Sequence, residues 1–81
     1  MEFIRRRDSR DVIQEVLLFI HKNKIEKKAM INRESILSHL KITHNSTYTE
    51  DDINSIFLLL LKMKKIKRYQ LWYNMCIVET I

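Results

Sequence analysis

The sequence predicts an α+β domain: three helices, a short strand between the first two, and a two-stranded β-hairpin at the C-terminus. Three observations lead to it. Apolar residues recur at three- and four-residue spacing in three separate stretches. From Ile66 onward the composition turns β-branched and aromatic. The chain has 81 residues, 46% of them hydrophobic, which is material for one core and one domain.

The first helix is expected from a cap at Asp8 or Ser9 to about Asn23. Val12, Ile13, Val16, Leu17 and Ile20 form its inner stripe, and Leu18 lies off it. Asp11 and Glu15 near the start and His21, Lys22 and Lys24 near the end complement the helix dipole. Ala29 to Ile31 reads as a very short strand. Asn32 caps a second helix, Arg33 to about Lys41, with Ile36, Leu37 and Leu40 inward. The polar residues 42–48 read as a loop.

Thr49 with Asp52 three residues on is a capping-box pattern, and Glu50 and Asp51 fill the positive first turn. The third helix is expected over Glu50 to about Lys65. Its inner face is Ile53, Ile56, Phe57, Leu60 and, at the end, Met63; Leu58 and Leu59 fall outside that stripe. Two strands follow, turning at Tyr73-Asn74, where Asn74 is the residue expected to tolerate positive φ. Residues 1–8 form a basic arm and 9–81 the domain.

The chain has no glycine and no proline. Phosphate-binding loops and dinucleotide fingerprints need glycine where backbone approaches phosphate, and a strained nucleophile elbow needs it too. No catalytic residue, cofactor or small-molecule substrate is therefore expected. The single cysteine, Cys76, excludes an intrachain disulfide and, with no signal-peptide pattern, suggests a reducing cytoplasmic setting. Cys76 reads as a packed thiol in an apolar strand. His39 and His44 have zinc-finger spacing but lack the paired cysteines, so no metal is expected. The longest apolar run, Ile56 to Leu61, is far short of the roughly 20 residues that cross a membrane.

Net charge is +5, unevenly spread. Residues 1–28 carry +3, residues 29–61 carry −2 and residues 62–81 carry +4. Two basic ends around an acidic middle suggest a polyanion that touches both ends. Lys62, Lys64, Lys65, Lys67 and Arg68 are one dense cluster; Arg5, Arg6, Arg7 and Arg10 are another.

The order of elements, and above all the stretch Ile53-Asn-Ser-Ile-Phe-Leu-Leu-Leu-Leu-Lys-Met-Lys-Lys-Ile66-Lys-Arg-Tyr69, resembles the winged helix-turn-helix family of DNA-binding domains. The likeness covers about Ser9 to Ile81. The compact, isoleucine- and lysine-rich composition is similar to that of small stand-alone regulators of archaeal viruses. The resemblance implies a transcriptional regulator on double-stranded DNA; a domain this small is marginal alone, so a dimer is expected, and no membrane is. By its pattern the third helix would present Tyr48, Thr49, Asn54, Ser55 and Lys62 to the major groove. The wing would present Lys67, Arg68, Gln70 and Asn74 beside Lys65, and the second helix Arg33, Ser35 and Ser38. Asn54 would read adenine, and the arm a minor groove.

Glu50, Asp51 and Asp52 depart from the family pattern by placing carboxylates where the third helix would meet phosphates. The long loop and the hairpin tip without glycine depart from it too. The arm and wing are therefore expected to carry more of the binding than the helix.

Leu18, Leu58 and Leu59, with Phe3 and Ile4 nearby, admit two readings: scattered surface leucines, or a homodimer interface that they form together. Tyr69, Trp72 and Tyr73 read as packing the hairpin on the helices, with stacking on unpaired bases as the alternative. A different class of function, a protein-interaction module without a specific DNA site, fits the acidic start of the third helix.

Overall fold

The computed structural model describes residues 9–45 and 47–81. The elements are α1 (Ser9–Asn23), β1 (Lys28–Asn32), α2 (Arg33–His44), α3 (Glu50–Lys62), β2 (Ile66–Trp72) and β3 (Met75–Thr80). The strands form one antiparallel sheet in the order β1-β3-β2. The three helices pack on one of its faces.

The core follows from the stripes. Val12, Val16 and Ile20 of α1, Ile36 and Leu40 of α2, and Ile53, Ile56, Phe57 and Leu60 of α3 are fully buried. Strand alternation adds Ala29, Ile31, Cys76 and Val78 from the sheet. Asn23 Nδ2 donates to the Phe19 carbonyl at 2.8 Å and closes the last turn of α1. Asn32 Oδ1 accepts from the Glu34 N–H at 2.8 Å and starts α2. The capping box of α3 forms as the sequence predicts: Thr49 Oγ1 accepts from the Asp52 N–H at 3.2 Å, and Asp52 Oδ2 accepts from the Thr49 N–H at 2.9 Å.

Helix ends are the main differences from the sequence reading. α2 runs on to His44 and stops where Asn45 turns left-handed at φ 51°. Residues 42–44, expected as loop, are helical; exposed Ile42 breaks the apolar stripe without breaking the helix. α3 stops at Lys62, short of Lys65. Lys64 takes φ 59°, its N–H bonds the Leu61 carbonyl at 3.0 Å, and the Lys65 N–H bonds the Leu60 carbonyl at 2.9 Å. That is the Schellman pattern, with lysine at the position glycine normally fills. Met63, expected inward, is therefore exposed.

The hairpin turns at Tyr73-Asn74, but the positive φ, 55°, falls on Tyr73 and not on Asn74. β1 is a sheet member and flanks β3 to the end of the hairpin: Asn32 pairs with Met75, the first residue after the turn. The hairpin is thus built into the body of the domain and does not project as a free wing. Thr80 N–H donates to the Lys27 carbonyl at 2.7 Å and ties the chain end to the turn before β1.

Candidate nucleic-acid interface

The basic residues after α3 stand in the open. Lys62, Lys64, Lys65, Lys67 and Arg68 are all exposed. The Schellman turn brings Lys64 and Lys65 around the end of the helix, and the register shift between Ile66 and Arg68 leaves Lys67 outside regular pairing. Arg10, Ile13 and Gln14 from the start of α1 meet Met63 and Lys65 there, lining one cleft of about 310 Å³. A cation from each basic end of the sequence therefore reaches the same cleft. Lys67 Nζ lies 3.6 Å from Glu79 Oε1, a surface pair that contributes roughly 1 kcal/mol at most. Arg5, Arg6 and Arg7, like Phe3 and Ile4, lie outside the described residues.

The opposite end of α3 is built differently. Arg33 Nη2 reaches Glu50 Oε2 at 2.6 Å and Asn74 Oδ1 at 3.4 Å, while the Arg33 N–H donates to the Asn74 carbonyl at 2.7 Å. The Arg33 side chain is only 12% exposed. It joins the starts of α2 and α3 to the hairpin tip, so the Arg33 guanidinium is engaged within the fold, while Asn74 is exposed. Of the three carboxylates at the start of α3, Glu50 is matched by Arg33 and Asp52 is used in the capping box; Asp51 is exposed.

Three residues expected at an interface or on an outer face are placed elsewhere. Tyr48 is buried in the core. Asn54 faces β2, where its Oδ1 accepts from the Tyr69 hydroxyl at 2.6 Å, which withdraws it from adenine readout. Tyr69 stacks on Phe57 with ring centres 4.3 Å apart, as the packing reading predicts. Ser55 is half-buried. Leu59, expected on the outer face with Leu58, packs against the core, because the α3 stripe is wider than its central residues suggest. Leu18 and Leu58 are exposed.

Thr49 is spent on its cap, though exposed. Ser35 and Ser38 are exposed on α2 but share a cleft with Phe19, Asn32, Glu34, His39 and Ile42, and among the described residues no lysine or arginine lines it. His39, expected on the helix surface, is half-buried: its Nε2 lies 2.7 Å from Glu15 Oε2 and its ring 4.6 Å from Phe19. Among the described residues no three metal-ligating side chains cluster. Burial pushes the Cys76 thiol up from its usual range and keeps it protonated.

Sequence reasoning missed the solvent face of the sheet. Arg68, Gln70 and Trp72 alternate outward on β2, and Met30 does so on β1. Trp72 and Tyr73, expected to pack inward, are exposed and meet edge to face at 5.1 Å. Period-two alternation was visible in the sequence, but the strand order that joins these residues was not. Among the described residues, no helix is long and apolar enough to cross a membrane. No family model, curated protein or solved structure matches the chain.

Proposed function

We propose that the chain binds double-stranded DNA through its phosphate backbone and acts as a winged-helix regulator of transcription. The observation that carries this reading is the shared cleft of Arg10 and Lys65, with Lys62, Lys64 and Lys67 exposed around it. Phosphates reward such a cluster by releasing condensed counterions. Covalent reach adds the arm: Arg7 is three residues from Arg10, within about 11 Å at full extension. The strand order β1-β3-β2 beneath three helices is compatible with the winged-helix pattern.

The grip lies at the C-terminal end of α3, not at its capped, acidic start. Asn54 is held by Tyr69 and Arg33 by Glu50, so base readout is weak and phosphate positioning dominates. Anisotropy titration of a random-sequence duplex at two salt concentrations tests this. Affinity should fall steeply with salt, and replacing Lys62, Lys65 and Lys67 by alanine should reduce the log–log slope by roughly 2 to 3. Absence of binding at low salt overturns the reading. A protein-interaction module is then the function that remains, favoured by the apolar sheet face.

A further inference from the structure

We infer that the solvent face of the sheet is a docking surface for a second copy of this chain. Strand alternation turns Met30, Ile77, Met75 and Trp72 away from the helices. The pairing register makes them contiguous: Met30 lies across from Ile77, and Met75 across from Trp72. Met30 and Trp72 are each 57% exposed. One end of this patch is closed by a row of mixed charge, in which Glu79 sits between Lys28 and Arg68.

Self-association is the occupancy this pattern favours. An apolar centre rich in methionine with a tryptophan and a polar margin is how protein interfaces are composed. A nucleic-acid strand would meet a carboxylate, Glu79, in the middle of the charged row. A two-fold axis running across the strands at Ile77 lets one copy cover the other. Ile77 then meets Ile77 and Met30 meets Met30. Each Arg68 lies over the partner's Trp72, a cation on an indole face. The charged row of one copy falls on the Asn32-Met75-Trp72 row of the other, so no like charges are opposed.

The surface is self-complementary in the way a closed dimer requires. Its size sets the affinity. Three strands about 4.8 Å apart and up to seven residues long make a face of roughly 14 by 20 Å, about 280 Å² per copy and well below the roughly 800 Å² per partner of a standard specific interface. The dimer is accordingly weak and concentration-dependent.

Trp72 is the only tryptophan, so its emission reports on this face directly. In DNA-free solution, light scattering across a dilution series should show mass rising from one chain to two. Trp72 emission should shift to the red on dilution with the same midpoint. Ile77→Lys should hold the chain monomeric and abolish the shift while leaving the thermal transition in place, and Met30→Lys serves if that variant unfolds. Leu58→Lys should change neither readout. Under oxidation Ile77→Cys should give a covalent dimer, the native Cys76 being buried.

A single-chain mass at every concentration overturns the proposal. So does a dimer that survives Ile77→Lys but not Leu58→Lys. Quenching of Trp72 by a single-stranded oligonucleotide on a protein that stays monomeric also overturns it, and marks the face as a base-stacking platform. None of these readouts depends on the duplex-binding proposal.

Discussion

Lys64 shows how a chain without glycine solves a local problem. The end of α3 needs a left-handed residue, and Lys64 supplies it at φ 59°. A side chain there costs about 1–2 kcal/mol relative to right-handed backbone. Glycine relieves that strain and returns part of the gain as unfolded-chain entropy. Lys64→Gly should therefore raise the urea midpoint by an amount equivalent to about 0.5–1 kcal/mol. Lys64→Val should lower it, since β-branched residues tolerate positive φ poorly. A midpoint that moves the same way in both variants would show that charge, not backbone, governs the site.

Tyr69 and Cys76 make a second residue-scale case. Burial raises both groups above their ordinary values of 10.0 and 9.0, so the fold holds protons that the unfolded chain releases. Their contribution to stability is complete below pH 9 and declines as pH climbs past 9 and then 10, because the native state there binds more protons than the unfolded one. Urea midpoints should fall from neutral pH to pH values above 10, and Cys76→Ala should flatten the first part of that decline. A midpoint flat across that range would contradict the buried, protonated pair.

At the scale of elements, the contact of α3 with β2 holds the candidate interface in place. Phe57 is fully buried and stacked on Tyr69, and Tyr69 is bonded to Asn54. Phe57→Ala removes the stack and leaves a cavity, which should cost about 3–5 kcal/mol in chemical denaturation. The Arg33–Glu50 link across the other end is more exposed on the Glu50 side and is screened by solvent. Arg33→Ala should cost far less than Phe57→Ala. The comparison separates the contact that builds the fold from the one that fastens the hairpin tip.

For the whole molecule, the distribution of surface matters more than net charge. Basic groups collect where α1 begins and α3 ends; apolar groups collect on the open sheet face. On the two proposals, phosphate binding falls to Arg10 and the lysines around the end of α3, and self-association to the sheet face, which Arg68 borders. Lys62 and Lys65 substitutions should therefore change the salt slope without altering the dimer midpoint, and Ile77→Lys should do the reverse. If each set moved both readouts, one surface would be serving both roles.

The sequence by itself determined the existence and order of the helices, the capping box, the turn at Tyr73-Asn74 and the α3 core residues apart from exposed Met63, because hydrophobic period, caps and turn chemistry are local properties. It also showed the basic cluster after α3. Tertiary structure alone decided that Asn54 faces Tyr69, that Arg33 is spent on Glu50, that Tyr48 is core, and that β1 joins the hairpin in a sheet. Each of these depends on which distant segment lies opposite a side chain. A one-dimensional pattern gives the direction in which a residue points along its own element, but not the partner waiting there.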